Sequence, residues 1–264
     1  MSMIAQNIGR NVLDFFAYVG GLTQLSLLSV FWSIAAPLKK IKGVSIRHLV
    51  VQMARVGFFG LPIVMIVMFA LGIILAMQME QILREFGATR WIGSITGISI
   101  IRELGPLLTA CVMTGHVGAS IAAEIGTMNV SEEIEALRAS AIDPIRFLVV
   151  PRVIAAAFMI GFVAIIGSFV GIVGGGVAAM FFMKVSPELY YKKVFEAITY
   201  KDLLTSVFKS IVFGFSIGII SCFEGMNVEN GAEGVGRAAT RSVVISIVAI
   251  IVVDCFLTAI FYVI

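Results

Sequence analysis

Long apolar runs separated by short polar segments dominate this chain. Residues 56–79 carry no charge and exceed the roughly 20 residues that a membrane-spanning helix needs. Further apolar runs cover residues 91–128, 147–182, 203–223 and 243–264. The composition, 59% hydrophobic and 13% charged, excludes a water-soluble domain. The pattern therefore predicts an all-α integral membrane protein with about five transmembrane helices.

Two of these runs have internal features that predict their packing. Residues 91–128 are too many for one straight span and contain Gly105 followed by Pro106, which predicts a kinked or broken helix. Residues 147–182 include GSFVGIVGGGVAAM, whose small residues let neighbouring helices approach closely. We therefore expect helix contacts along the interior of the third span.

The N-terminal region, residues 1–48, differs from the spans that follow. Its apolar stretch, residues 12–36, has hydroxyl side chains at helical spacing on one side, namely Thr23, Ser26, Ser29 and Ser33. This pattern is typical of an amphipathic helix at the membrane interface, followed by a basic connector. A sixth span and a signal peptide are the alternatives, and the latter is disfavoured because the lysines follow the apolar stretch. Residues 49–264 then form the transmembrane domain.

The lysines and arginines near the span ends predict the orientation. The N-terminal region is rich in them, with Arg10, Lys39, Lys40, Lys42, Arg47 and Arg55. The next connector offers only Arg84 and Arg90. The N-terminus is therefore predicted to be cytoplasmic, as are residues 129–146. The lysine-rich connector between the third and fourth spans, with a predicted small helical element at residues 187–201, then lies outside, against the rule.

The connector between the second and third spans is rich in charge. We predict that one short cytoplasmic helix carries four of these charges, Glu132, Glu133, Glu135 and Arg138. Ser131 is predicted to cap this helix, so that the glutamates lie near the positive end of the helix dipole. Asp143 and Pro144 are predicted to end it. The alternative is an ordinary solvated turn between two spans.

Nucleotide chemistry is not predicted for this chain. It has no G-x-x-x-x-G-K-[ST] phosphate loop, so any energy from ATP must come through a partner. The glycine-rich residues 230–241 join two spans and not a strand to a helix, so they are predicted to be a cytoplasmic loop and not a dinucleotide site.

Catalysis and metal binding are not predicted either. His116 and Ser120 are four residues apart, but they lack the G-x-S-x-G elbow and an evident third orienting group, so they do not predict a hydrolase. The three cysteines lie in apolar runs without metal-ligand spacing. We therefore predict that the chain is not an enzyme and has no metal site.

One long segment resembles a known family. The sequence IIRELGPLLTACVMTGHVGASIAAEIGTMNVSEEIEALRASAIDPIRFLVVPR, residues 100–152, is similar to the signature of the MlaE/YrbE-type permeases. These are the membrane subunits of ABC systems that move phospholipids between bacterial membranes with MCE-domain proteins. The resemblance extends over about residues 50–264 and includes FKSIVFGFSIGIISCFEG and GVGRAATRSVV.

This resemblance implies an assembly. It implies a homodimer in the bacterial inner membrane, with a periplasmic MCE-domain ring above it and phospholipid as the substrate. Each copy would dock a cytoplasmic ATPase through a coupling helix at about residues 129–144. ATP and Mg would be bound by that ATPase, with no cofactor in this chain and no nucleic acid partner, and a STAS-domain subunit is left open. The looser similarity to the EAA loop of other ABC importers is weak because Ala141 stands where glycine is usual.

Four charged residues interrupt the apolar runs, and the resemblance suggests a role for them. They are Arg102, Glu103, Lys209 and Asp254. Each costs roughly 2.5–3.5 kcal/mol at the bilayer centre, so such groups are expected to face the bundle interior and pair. One interpretation is a structural ion-pair set, and another is a polar zone that couples helix motion to ATP use. Lys209 could also reach an interface.

A stripe of large apolar residues near the outer end of the first span is a candidate lipid site. Leu75, Met79, Ile82, Leu83 and Phe86 recur at three- and four-residue steps. In a family homodimer they would line an acyl-chain pocket, and the alternative is contact with bulk lipid or a neighbouring helix. The alternative function for the whole chain is an ion-coupled secondary transporter that uses the buried charges.

Overall fold

The structure is a computed structural model that describes residues 2–38, 46–229 and 231–262. All regular secondary structure in these ranges is helical. The helices are α1 Ser2–Leu38, α2 Ile46–Glu85, α3 Ile92–Ser99, α4 Gly105–Met113, α5 Ala119–Val130, α6 Glu133–Ala139, α7 Val150–Met183, α8 Pro187–Ala197, α9 Tyr200–Met226 and α10 Gly231–Tyr262. The predicted basic connector with Lys39, Lys40 and Lys42 lies outside the described residues.

Five helical segments are long and apolar enough to cross a membrane, which confirms the predicted number. They are α2, the run from α3 to α5, α7, α9 and α10. Because successive spans cross in opposite directions, α6 lies at one end of the bundle and α8 at the other. We call these the α6 end and the α8 end. The predicted small helical element after the third span is α8.

The second span is irregular where the sequence predicts a kink. Its helical run from Ile92 to Val130 is not broken, but π-turns interrupt it at Ile100–Leu104 and Thr114–Gly118. In the first, the Gly105 N–H donates to the Ile100 carbonyl five residues earlier. Pro106, which has no N–H to donate, follows at once. A widened turn accommodates the proline without ending the helix.

The third span, α7, packs closely against α2 and α9 through small residues, as predicted. A Cβ atom at Gly72 of α2 would overlap the backbone carbonyl of Gly171, and one at Gly174 would overlap that of Phe69. On α9, a Cβ atom at Gly214 would lie 2.5 Å from the Ala156 carbonyl oxygen. Backbones that touch leave no room for side chains, so packing rather than flexibility requires these glycines.

Replacing Gly72 by valine is expected to separate α2 from α7. The added side chain meets backbone atoms that cannot rotate away, so the free energy of unfolding should fall by about 3 kcal/mol. Thermal unfolding of the purified chain in detergent measures this. Gly236→Val on α10 is the matched control, because a Cβ atom there has nothing within 4 Å. Equal melting temperatures for the two variants would contradict the close packing.

The N-terminal helix α1 lies against the α6 end of the bundle, and its hydroxyl stripe does not form one exposed side. Ser29 is fully buried, whereas Thr23 is exposed. The hydroxyl groups of Thr23, Ser26 and Ser33 each donate to a backbone carbonyl four residues earlier, so they need no water. Large apolar side chains such as Phe16 and Leu27 remain exposed, as expected for a helix partly immersed in lipid.

The prediction that the glycine-rich residues 230–241 form a loop is wrong. From Gly231 onward these residues form the first three turns of α10, and the chain turns sharply just before it at Asn227–Glu229. Gly231 has φ +65°, which glycine adopts without strain. The alanines and arginines in this segment are good helix formers, and packing of the helix start against the rest of the bundle outweighs the low helix propensity of its glycines.

Candidate functional site

The predicted intramembrane charges meet around Lys209 of α9. Its ammonium group lies 2.8 Å from Glu103 Oε2 and 2.9 Å from Asp254 Oδ1, and it donates to the Thr258 hydroxyl at 2.6 Å. The Thr258 hydroxyl in turn donates to Glu103 Oε1 at 2.7 Å. The Lys209 side chain is 0% exposed, so the interpretation in which it reaches an interface is wrong. Both acidic residues considered as its partner contact it.

Arg102, the fourth predicted charge, forms a neighbouring ion pair that sequence reasoning missed. Its Nε lies 2.7 Å from Oδ1 of the buried Asp202. The Asp202 carboxylate also accepts hydrogen bonds from the backbone N–H and the hydroxyl of Thr199. Because the Asp202 N–H in turn donates to the Thr199 side chain, the two residues form a capping box at the start of α9. Spacing of Thr199 and Asp202 three residues apart before an apolar run is the sequence signal that could have located this cap.

This charge cluster connects three spans. Glu103 belongs to the second span, Lys209 to the fourth, and Asp254 and Thr258 to the fifth. Lys209 lies nine residues after the first residue of α9, or about 14 Å along the helix from its start at the α8 end. Any relative movement of these helices must break or rearrange charged hydrogen bonds in a region of low dielectric. The arrangement can therefore fix helix register and resist movement between the spans.

The charged connector forms a shorter helix than predicted. Within residues 129–144, α5 continues to Val130 and only Glu133–Ala139 forms α6. Ser131 does not cap it, because its hydroxyl donates to the Thr127 carbonyl at the end of α5. Asp143 does not end it either, since its Oδ1 accepts from the Ile145 N–H at the start of the next helical run.

The exposed surface of α6 carries its charged side chains. Glu132, Glu133, Glu135 and Arg138 are all exposed. Ile134 is 2% exposed and anchors the helix to the bundle. The connector therefore holds a small charged helix at the α6 end, attached to the bundle by Ile134 and by the partly buried Leu137.

The end of α6 has a backbone conformation that suits glycine better than the alanine found there. The Ile142 N–H donates to the Leu137 carbonyl and the Ala141 N–H to the Arg138 carbonyl, a hydrogen-bond pattern that ends helices with a left-handed residue. Ala141 is that residue, with φ +57°. An L side chain in this conformation is strained by about 1–2 kcal/mol.

Ala141→Gly is therefore expected to stabilise the connector by about 1 kcal/mol. Hydrogen exchange of the backbone amides in residues 133–142 measures local opening and should slow in the variant. Ala139→Gly, within the helix, is the matched control and should speed exchange instead. Faster exchange in both variants would show that the left-handed conformation is not populated.

Two further charge groups lie towards the α6 end, and sequence reasoning identified neither. Glu124 of α5 is 3.0 Å from Arg152 Nη2 and 3.3 Å from Arg55 Nη1. In the sequence these three residues look like ordinary charges near the ends of long helices, so the pattern gives no reason to pair them. Among the described residues no three His, Cys, Asp or Glu side chains are grouped closely enough to hold a metal ion.

The second group attaches α1 to the bundle. The Tyr18 hydroxyl donates to Glu224 Oε1 at 2.6 Å, and Arg241 Nε lies 3.4 Å from Glu224 Oε2. The Tyr18 ring also packs edge-on against Phe223 with centroids 5.1 Å apart. Burial, together with the hydrogen bond to the carboxylate, raises the pKa of Tyr18 well above its usual range. Its phenol therefore stays protonated and keeps donating at physiological pH.

The predicted lipid-pocket stripe does not form one surface of this chain. Leu83 is buried, and Leu75 and Met79 pack against the core. Ile82 and Phe86 are exposed. Ile82 follows Met79 by three residues and Phe86 follows Leu83 by three, so each exposed side chain is turned some 60° around the helix from the packed one before it. A pocket wall made by all five side chains is therefore not present in the single chain.

Known proteins are similar to nearly the whole chain. Residues 49–260 match the family of the permease MlaE. A probable ABC transporter permease protein of Rickettsia prowazekii is 35% identical over 259 residues, which cover 98% of each chain. Another, of Synechocystis sp., is 39% identical over 212 residues, 80% of this chain and 81% of that protein.

A plant protein is also similar. The protein TRIGALACTOSYLDIACYLGLYCEROL 1, chloroplastic, of Arabidopsis thaliana is 32% identical over 216 residues, 82% of this chain and 62% of that protein. The five spans, the charged helix between the second and third of them and these similarities lead to one conclusion. This chain is a multi-pass membrane protein that belongs to the MlaE permease family.

Proposed function

We propose that this chain is the membrane subunit of an ABC transporter that moves phospholipids between the inner and outer membranes of a bacterium. A separate cytoplasmic ATPase supplies the energy. The observation that carries the proposal is α6, a short helix whose charged side chains face away from the bundle between two spans. A soluble subunit can dock on a surface of this kind, and its movement would then shift the spans that α6 connects.

Phospholipid is the proposed substrate. The similar protein of Arabidopsis thaliana bears the name of a glycerolipid, which supports a lipid substrate for this chain as well. The spans also expose many large apolar side chains, including Phe58, Phe158 and Phe256, over which acyl chains can lie. Lipid transport would maintain the asymmetry of the outer membrane.

The proposed assembly is a homodimer with a periplasmic MCE-domain ring. The apolar face of α10 that includes Val248, Val252 and Phe256 is exposed, and a second copy could cover it. The α6 end would face the cytoplasm and the α8 end the periplasm. The ring would then lie over the α8 end. A STAS-domain subunit that co-purifies with the permease and its ATPase would be a further member of the complex.

A transfer assay tests the function. The chain, its ATPase and its MCE-domain partner are reconstituted in donor vesicles with fluorescent phospholipid, and transfer to acceptor vesicles is followed with ATP and with a non-hydrolysable analogue. ATP-dependent transfer is expected. Transfer that needs no ATP but follows an imposed proton or sodium gradient would favour the ion-coupled alternative, for which the buried charges around Lys209 are the supporting observation.

The orientation can be tested separately. Cysteines replace Glu135 on α6 and Lys192 on α8, both exposed, in a chain without its native cysteines. We expect a membrane-impermeant thiol reagent added outside intact spheroplasts to label position 192 and not position 135. Labelling of position 135 alone would reverse the proposed topology, and with it the sides on which the partners bind.

A further inference from the structure

A stripe of polar residues runs along the outside of the second span. His116, Ser120 and Glu124 follow each other at four-residue steps, so they lie on one face of the helical run. His116 and Ser120 are exposed on the surface of the bundle. Polar side chains on a membrane helix normally meet other polar groups, because hydrocarbon cannot satisfy their hydrogen bonds. Glu124 has partners in Arg55 and Arg152, so His116 and Ser120 are the members of the stripe that a polar occupant would satisfy.

A cavity of about 170 Å³ lies between this stripe and α2. We call it the His116 cavity. Its polar lining comes from the stripe and from Gln52 and Arg55, and its apolar lining from Val56, Phe59, Val117 and Ile121. The volume equals that of about five or six water molecules at roughly 30 Å³ each, which is enough for a phosphate group.

The charge of the cavity favours an anion. Glu124 is the acidic residue of the lining, and its carboxylate lies between the guanidinium groups of Arg55 and Arg152. Arg152 lies outside the cavity lining and neutralises this carboxylate through its other oxygen, so Glu124 does not use up the positive charge of Arg55. Arg55 is 56% exposed, and a guanidinium has five N–H donors, of which one is seen bonded to Glu124. Its other donors can bind oxygens of an anion in the cavity.

The remaining polar groups add hydrogen-bond donors of the right kind. The Ser120 hydroxyl, the Gln52 amide and an imidazole N–H of His116 can each donate to phosphate oxygens. The π-turn Thr114–Gly118 contains His116, and turns of this type frequently occur at functional sites. Gly115 leaves open space beside the histidine, because a Cβ atom there would meet nothing within 4 Å.

We propose that the His116 cavity binds the phosphate of a phospholipid headgroup within the half of the membrane nearer the α6 end. The apolar wall with Phe59 lies beside the polar groups, so glycerol and acyl chains can continue along α2 while the phosphate contacts Arg55. This inference rests on the proposed function and assigns a headgroup site to it. Free phosphate has the same anionic chemistry, but it would not use the apolar wall.

Photolabelling tests the site in the full-length chain. The protein is reconstituted in vesicles that contain a phospholipid with a diazirine on its headgroup, and the labelled peptides are identified by mass spectrometry. Labelling is expected in residues 52–59 and 116–124. A probe with the diazirine at the end of its acyl chain should label other surfaces more strongly. Absence of headgroup labelling from both segments would overturn the proposal.

Charge variants sharpen the test. Arg55→Gln should reduce headgroup labelling about tenfold, the effect of losing one hydrogen bond to a charged group. Arg84→Gln, which loses the same charge from an ion pair with Glu80 at the opposite end of α2, is the matched control and should label normally. His116→Leu should also reduce labelling. If Arg55→Gln does not fold, the labelling pattern of the wild type and that of His116→Leu still test the proposal. Unchanged labelling in His116→Leu would count against it.

Two other occupants give different results. An excess of inorganic phosphate that abolishes labelling would identify a site for free phosphate and overturn the lipid assignment. A photoreactive residue at Ser120 that crosslinks two copies of the chain, and no lipid, would show that a second copy covers this face. Either result replaces the headgroup with another occupant.

The site and the proposed function can fail separately. If the wild-type complex does not transfer phospholipid with ATP, yet labelling depends on Arg55, the cavity binds headgroups and the transport proposal is wrong. If ATP-dependent transfer is normal in wild type and in Arg55→Gln, and the segments are not labelled, the chain transports lipid by another route.

Discussion

Replacing Lys209 by methionine is expected to lower the free energy of unfolding by about 3–5 kcal/mol, because it leaves buried carboxylates without their cation. Glu103 and Asp254 both contact the ammonium group of Lys209, which is 0% exposed. The loss should appear as a lower melting temperature of the purified chain in detergent. It should also appear as detergent sensitivity when the variant is the only copy in cells.

Neutralising the acidic partners of Lys209 distinguishes the effect of lost charge from the effect of lost packing. The double variant Lys209→Met with Asp254→Asn should be rescued only in part, because Glu103 is still negative. The triple variant that adds Glu103→Gln should recover most of the stability, since all three groups are then uncharged. Lys192→Met, on the exposed surface of α8, is the control for loss of a lysine. A triple variant as unstable as the single one would show that the cation is not what stabilises the cluster.

The same triple variant distinguishes a structural role from a coupling role. A purely structural cluster predicts that lipid transfer returns together with protein level. A coupling role predicts that the triple variant accumulates and binds its ATPase, but hydrolyses ATP without moving lipid. Normal transfer and normal stability in every variant would exclude both roles.

Reversing the charge of Glu132, Glu133 and Glu135 together to lysine is expected to abolish co-purification of the ATPase. All three side chains are exposed on or beside α6, and each reversal changes the local charge by two units. Opposite charges on two docking surfaces select the partner and fix its position, whereas like charges placed opposite each other weaken the binding free energy by several kcal/mol. Affinity purification from membranes, with the ATPase quantified against the permease, measures the effect.

The variant should still fold and insert, because Ile134 anchors α6 and is unchanged. Glu85→Lys, Glu188→Lys and Glu196→Lys, at the α8 end, form the matched control with the same change in charge. Co-purification at the wild-type level after reversal on α6 would remove this helix as the docking element. Loss of co-purification in both sets would point to a general effect of charge on the complex.

The apolar pattern by itself determined the class of protein and the number of spans. Long uncharged apolar runs are unfavourable in water, so they are expected to lie in the membrane. In hydrocarbon their backbone hydrogen bonds must form within helices, so few architectures are compatible with this sequence. The four intramembrane charges could be identified for the same reason, since an ion in hydrocarbon needs a partner. The dense glycines of residues 167–176 likewise predicted close contacts of α7.

Partner choice and surface placement were decided only by the tertiary structure. Asp202 and Glu124 look like ordinary terminal charges until folding brings Arg102 and Arg152 to them from other spans. The helical start of α10 and the division of the Leu75–Phe86 stripe depend on which neighbours pack against each face. Local sequence fixes which residues are apolar and how far apart they lie along a helix. It does not fix the rotation of that helix in the bundle, because rotation is set by contacts between residues far apart in the chain.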